Sequence, residues 1–543
     1  MNAPTQATPT VEKKKIAVVV IHGMGEQKPM QTLRGFVESV WQHDRNLFKD
    51  LKDPPDHWNW DTWSKPDQLS GSAELRRITT ARARDPDHKG EKGKRTDFFE
   101  LYWADLTADS NWGDFTKWFG ALLFRNPFRG EIPPRVVAAW MVMWLFTLAL
   151  LFSGLSTVWP KVVEFYQHDP LAGTWLGSLM TWRGWILVTV LLAAFGGKAK
   201  SFLTSYFGDV ARYVSAEPRN ISVRHEARQR GLKLLDQIAA SGAYDRVIVV
   251  GHSLGSVLAH DLVMLAWSEA ARSITMTVGS SLHHAFRECE IAGEALLVAA
   301  GYTKGHTPDI HRDDRGGQCA YGRPSAAIDT VPNLRDTYRV AQRKLFLELS
   351  AVQVQGPDQK RRSAWLISDL ITMGCPLTHA EFLIARSLCE LRVMVQARET
   401  LRCPPVFEAD EKLDLHFLYP NPKGSQQLQP HHAAAMAPTR WTNIHDPSGH
   451  VLFPFGDLIS GPLARDFGPG VTDIAVCIRR PRGWMTWVGL SHLFTHVLYW
   501  KDFIRNAGSS EPPPDHVQVL RDAINFLCEP EVEARLMRRS RGE

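Results

Sequence analysis

Residues 16–21 (IAVVVI) form an unbroken, mostly β-branched run, the pattern of a parallel strand buried on both faces. The turn His22-Gly23-Met24-Gly25 follows directly, and the spacing over 29–44 predicts a helix after it. Residues 53–95, rich in Trp, Pro and charge, predict a surface excursion, and 98–106 (FFELYWADL) a second strand running into a loop. Further on, a helical pattern over 209–238 leads to an apolar strand at 246–250. Helical spacing then resumes over 253–268 through Val257, Leu258, Leu262 and Leu265. Residues 278–362 hold polar and glycine-rich stretches around a helix at 335–352, the natural place for a cap over a site, and 365–372 and 471–477 predict later strands.

The stretch 112–200 differs in kind. Residues 136–160 carry no charge, and 171–197 are apolar apart from Arg183, whereas a membrane helix needs about 20 apolar residues. A span over 179–197 puts Arg183 near its end, where the side chain reaches the interface. Lys117, Arg125, Arg129 and Arg135 precede the pair and Lys198 and Lys200 follow it, while the connection holds Lys161 against Glu164 and Asp169. The positive-inside bias predicts a helical hairpin with both flanks in the cytoplasm, with a buried helical subdomain as the alternative.

The expected organisation is thus a leader over 1–15, core segments over 16–111 and 201–277, the hairpin over 112–200, the cap-like insertion over 278–362, and a last core segment over 363–543. With 543 residues, 44% hydrophobic and 22% charged, the chain is globular. A net charge of +5 from scattered Lys and Arg gives no case for a nucleic-acid partner. Seven Cys without paired spacing predict reduced thiols, and the polar N-terminus shows no signal-peptide pattern. The 21 His include no His-Glu-x-x-His; His492/His496 and His283/His284 lack a third ligand, so neither metal nor cofactor is expected.

The densest chemical signal is Gly251-His252-Ser253-Leu254-Gly255 between a strand and a helix. A serine on such a turn projects its hydroxyl above the sheet, and the helix N-terminus beneath it offers N–H groups to a developing oxyanion. Ser253 is therefore the candidate nucleophile, with the N–H groups of Met24 and Leu254 as candidate oxyanion donors. His22 is expected to be a turn residue, and His252 is assigned no chemistry.

With these residues in view, the chain resembles lipase- and esterase-like α/β-hydrolases, notably bacterial members with inserted membrane segments. The matching pieces are VVVIHGMGEQ (18–27), ELYWADLT (100–107), GDVARYV (208–214), VIVVGHSLGSVLAHDLV (247–263), ITMGCPLTH (371–379), RWTNIHDP (440–447), GDLISGPLARDFGPGVTDIAV (456–476) and THVLYW (495–500). The resemblance implies an α/β-hydrolase fold with an eight-stranded, mostly parallel sheet, and a triad in the order Ser, acid, His. His496 in its Thr-His-x-x-Tyr-Trp context is then the base, with His492 the competitor. Two departures stand out. Gly374-Cys375-Pro376-Leu377 replaces Gly-Ser-Pro-Leu, with Cys375 expected as a small buried residue, and Gly449 stands where many relatives carry the acid. The acid falls to Asp457, with Asp446 as the alternative.

The expected function is cleavage of carboxylic esters, lipid-like or long-chain acyl esters among them, by a protein held at a bacterial inner membrane with its catalytic part in the cytoplasm. An acyltransferase with the same triad, and an inactive membrane-associated scaffold on the same fold, are the competing readings. Oligomeric state is left open.

Overall fold

The computed structural model describes residues 14–23, 28–48, 62–71, 74–84, 92–107, 218–301, 332–356, 361–385, 387–405, 408–409, 415–420, 427–447, 457, 459–478, 495–501 and 515–542, with isolated positions between 120 and 213. Eight strands form one sheet: β1 (Lys15–Ile21), β2 (Thr62–Pro66), β3 (Arg76–Arg84), β4 (Lys92–Leu101), β5 (Tyr244–His252), β6 (Ile367–Met373), β7 (Arg440–His445) and β8 (Thr472–Ala475). Their order is β8-β7-β6-β5-β1-β4-β3-β2. The pairings from β8 to β4 are all parallel; β3 runs antiparallel to β4, and β2 antiparallel to β3.

The continuous apolar run of β1 has a simple cause. Ala17, Val19 and Ile21 enter one apolar layer and Ile16, Val18 and Val20 the other, so neither face meets water. The first layer is covered by α2 (Pro218–Ala240), α3 (Leu254–Ala271), α4 (Ser281–Ala299) and α5 (Pro332–Ala351); the second by α1 (Gln31–Val37), α6 (Asp515–Ile524) and α7 (Pro530–Ser540). Residues 254–263 of α3 are buried on every side, as befits a helix between sheet and outer helices. The helix expected over 29–44 is α1, continued by a π-helical turn, Glu38–Gln42.

The surface excursion expected over 53–95 is corrected, because β2 and β3 extend the sheet from within it. Ile78, Thr79 and Thr80 are the buried centre of β3, and Ile78 sits opposite Phe98. Arginines on both sides of this short centre masked the strand in the sequence, although β3 is paired on both sides and β2 is the edge. The strand β7 and the helices α6 and α7 are likewise additions to the elements expected. Of the cap-like insertion, α4 and α5 are described. Arg339 of α5 donates to Thr472 (3.1 Å), and Tyr338 and Gln342 donate to the Met436 carbonyl, so α5 is anchored toward the N-terminal ends of β7 and β8.

The hairpin over 112–200 lies outside the described residues except at isolated positions, and among the described residues no helix is long and apolar enough to cross a membrane. Cys289, Cys375, Cys403, Cys477 and Cys528 are free thiols, whereas Cys389 is disulfide-bonded, a departure from the reduced state expected throughout.

At the N-terminal ends of the central strands, buried Asp369 of β6 accepts from Arg246 of β5 (2.7 Å) and Arg440 of β7 (2.8 Å). The two guanidinium groups hold its carboxyl below the usual carboxylate range against the opposing effect of burial. Arg246 also donates to the Ile524 and Asn525 carbonyls, fastening the α6–α7 corner to the sheet. Removing one partner of such a cluster leaves buried charge and carbonyls unmatched. Arg246→Ala is expected to lower the unfolding free energy by about 3 kcal/mol, read from urea titration of tryptophan fluorescence.

Candidate active site

Where β5 ends, Ser253 takes φ 54° and ψ −131°, a left-handed conformation rare for a residue with a side chain, and α3 starts at the next residue. Its N–H donates to the Met373 carbonyl at the end of β6 (2.9 Å), and its carbonyl accepts from Ser256 N–H (2.9 Å). Space for this turn comes from glycines. A Cβ on Gly255 would strike the backbone carbonyls of Ile21 and His22, and one on Gly23 would lie 2.6 Å from Ser253 Cβ. The β1 turn and the Ser253 turn are therefore in contact, as expected of a site built from both. Leu254 is the first residue of α3, where N–H groups have no acceptor within the helix. Met24, the other candidate oxyanion donor, lies outside the described residues, as does His492.

His22 fixes its own turn. Its Nδ1 lies 2.8 Å from the Gly23 carbonyl, and its Nε2 is 3.2 Å from Trp103 N–H. The N–H donates, so Nε2 is the acceptor and Nδ1 carries the proton. Burial lowers its pKa to about 4, and the ring is neutral near pH 7.

The structure brings Ser253, His496 and Asp457 into one hydrogen-bonded line. His496 Nε2 is 2.8 Å from Ser253 Oγ, and His496 Nδ1 is 2.9 Å from Asp457 Oδ2. The three lie beyond the C-terminal ends of β5, β8 and β7 respectively, in the chain order Ser, Asp, His. Asp457 Oδ1 accepts from Ile459 N–H (2.9 Å). Burial alone pushes the Asp457 carboxyl up; the attraction and hydrogen bond of His496 outweigh it and bring the pKa to about 2.

Asp446, the alternative acid, holds the histidine's turn rather than its ring. Its Oδ2 accepts from Thr495 Oγ1 (2.6 Å), its carbonyl accepts from Asp457 N–H (3.2 Å), and its N–H donates to Tyr499 Oη (3.0 Å). Two side chains that sequence reasoning left without a role also touch the line. His252 Nε2 donates to the His496 carbonyl (2.7 Å), and its ring meets Trp500 edge-on at 4.6 Å. Burial, then the neighbouring His496, lower its pKa to about 3. Tyr499 donates to Asp457 Oδ2 (2.8 Å). Its sequence signal was its place in the Thr-His-x-x-Tyr-Trp context of His496, which assigned it no role.

Gly374, at φ +59°, opens the slot for these rings: a Cβ there would lie 2.9 Å from Tyr499 Cε2 and 3.1 Å from His496 Nδ1. Cys375 beside it is buried, as expected of a small residue there, with its thiol pushed up to about 12 by burial. The Trp441-x-Asn443 segment secures the Asp457 loop, with Asn443 Nδ2 donating to the Gly461 carbonyl (3.0 Å) and to Asp473 (2.7 Å). A groove of about 800 Å³ lined in part by Glu100, Tyr102, Asp105 and Arg230 opens on the β4 side, and its lining excludes Ser253 and His496.

His22 and His252 make stability depend on pH with a definite sign. Both bind protons more weakly in the folded chain than at the ordinary value of 6.5, so the unfolded chain takes up more protons as pH falls. Stability is expected to be full above pH 6.5 and to fall between there and pH 4, by on the order of 3 kcal/mol from His22 alone. Equilibrium unfolding at pH 7, 5.5 and 4.5 reads this, and His252→Gln should flatten the slope. A pH-independent midpoint across that window would contradict it. No protein-family model, no curated protein and no solved structure matches the chain.

Proposed function

We propose that the chain is a serine hydrolase of α/β-hydrolase type that cleaves carboxylic esters, with lipid-like or long-chain acyl esters as its substrate class. The observation that carries the reading is the unbroken relay from Ser253 Oγ through His496 to Asp457, at 2.8 and 2.9 Å, on a serine held at positive φ. In this reading Ser253 Oγ attacks the ester carbonyl carbon while His496 Nε2 takes its proton. The Leu254 and Met24 N–H groups hold the resulting oxyanion. The tetrahedral adduct collapses, His496 returns the proton to the departing alcohol, and the acyl group stays on Ser253. Water then adds to the acyl carbon, giving its proton to His496, and the acid leaves as Ser253 regains its hydrogen. Asp457 keeps Nδ1 protonated and Nε2 free to act as base, and it offsets the imidazolium charge.

Support for Asp457 over Asp446 is the direct contact of its carboxylate with the imidazole, which Asp446 gives to Thr495 instead. The long apolar runs at 136–160 and 171–197 support a protein held at a membrane, which suits a water-insoluble substrate.

Ser253→Ala is expected to abolish labelling by a fluorophosphonate probe and to reduce ester turnover by several orders of magnitude without changing the melting temperature. Labelling equal to wild type would sink the assignment. Asp457→Ala should cost up to about 10⁴ in kcat and Asp446→Ala much less; the reverse ranking would move the acid to Asp446. In membranes from expressing cells, alkaline carbonate should leave the full chain in the pellet, and release to the supernatant would favour a buried helical subdomain over 136–197.

A further inference from the structure

Tyr499 has a hydroxyl whose every bonding position is taken. Its oxygen lies 3.0 Å from Asp446 N–H, 2.8 Å from Ser460 Oγ and 2.8 Å from Asp457 Oδ2. A phenol offers one proton and two acceptor sites. The amide of Asp446 must donate, and an ionised carboxylate only accepts. The phenol proton therefore goes to Asp457, and the remaining acceptor site takes the Ser460 hydroxyl proton. Burial and the adjacent carboxylate push the phenol's pKa well above its ordinary value, so the proton is always present. The oxygen it reaches is the same Oδ2 that accepts from His496 Nδ1.

Two donors on one carboxylate oxygen share its charge. We propose that Tyr499 is a positioning residue that holds Asp457 against His496 and, by taking part of that charge, weakens the grip of Asp457 on the imidazolium, so that His496 gives up its proton more readily. Other groups face the pair: His252 from the end of β5, His445 and Asp446 from the end of β7, Asp473 from β8, and Ser460, whose hydroxyl also lowers the Asp457 pKa. Tyr499 donates to Oδ2, and its replacement by Phe removes that bond together with those from Asp446 N–H and Ser460, while keeping the ring that fills the slot at Gly374.

The inference rests on the hydrolase reading for its consequence in catalysis, so its test uses a readout that needs no turnover. Full-length protein with ¹⁵N-labelled histidine is titrated by NMR, following the His496 ring nitrogens in wild type, Tyr499→Phe and Ser460→Ala. Tyr499→Phe is expected to move the His496 midpoint up by about half a pH unit. Ser460→Ala removes the donor that polarises the phenol together with its own bond toward Asp457, and should give a smaller shift of the same sign. Unchanged midpoints in both variants overturn the inference, as does a downward shift. Should Tyr499→Phe not fold, full-length protein carrying 3-fluorotyrosine, whose more acidic phenol donates more strongly, is titrated instead: a downward His496 midpoint supports the inference, and an unchanged or upward one overturns it. Turnover is measured on the same samples. With an active wild type, Tyr499→Phe should lower kcat about tenfold, leave KM within about twofold, and move the acid limb of kcat/KM upward. An inactive, unlabelled wild type whose midpoints still shift would defeat the hydrolase reading and leave the role of Tyr499 intact.

Discussion

The contact between the first turn of α3 and the end of β1 governs the rest of the site. Gly255 lies against the Ile21 and His22 carbonyls, and no other residue fits there. This close approach forces the chain to leave β5 and enter α3 within one residue, and Ser253 absorbs the reversal at φ 54°. Such a conformation costs on the order of 1–3 kcal/mol and persists only where its surroundings over-determine it. Here the Met373 carbonyl, the start of α3 and Gly23 surround it on three sides. The strain has a purpose legible in the geometry: it lifts Oγ off the sheet toward His496.

Around that fixed point, the partners of Ser253 come from loops far away in sequence, and each is tied at more than one place. Asp457 is held by Ile459 N–H, by the Asp446 carbonyl and by Tyr499, while Asn443 and Asp473 fasten the following segment at Gly461 and Leu463. His496 sits on a single 3-10 turn, which alone has little rigidity. Its rigidity is borrowed from Asp446 through Thr495, from His252 through the His496 carbonyl, and from the apolar wall that Tyr499 joins. An imidazole placed within hydrogen-bond reach of two groups at once needs this degree of restraint.

Much of this was legible in the sequence because it rests on local rules. A doubly buried strand must be apolar throughout, so β1 and β5 announce themselves, and a strand-to-helix reversal demands glycines at fixed offsets around Ser253. The two antiparallel strands β2 and β3 were not legible. Arg76, Arg77, Arg82 and Arg84 flank the short core of β3, and its alternation is carried by threonines rather than large apolar residues. The acid was only half legible. Asp446 and Asp457 stand in similar turn contexts, and the choice depends on which carboxylate the fold turns toward His496, a long-range matter that spacing does not encode. His252 and Tyr499 were illegible for the same reason: neither carries charge, and each acts through one hydrogen bond to a residue dozens or hundreds of positions away.

The C-terminal helices show how the two ends of the sheet are coupled. At the N-terminal ends of the strands, Arg246 grips the last carbonyls of α6. At the other end of that helix, His516 Nε2 lies 3.1 Å from the Lys501 carbonyl, immediately after Trp500, while Arg521 in its last turn donates to the Ser39 carbonyl. Ser39 in turn donates to the Trp500 carbonyl. The turn that carries His496 is thus clamped from outside by α6 and by the π-helical turn after α1, and from inside by His252. One helix, α6, is therefore fastened to the sheet near its C-terminal end and to the loop after His496 near its N-terminal end. The ion cluster and the clamp on the His496 turn thus meet on the same helix, one near each of its ends.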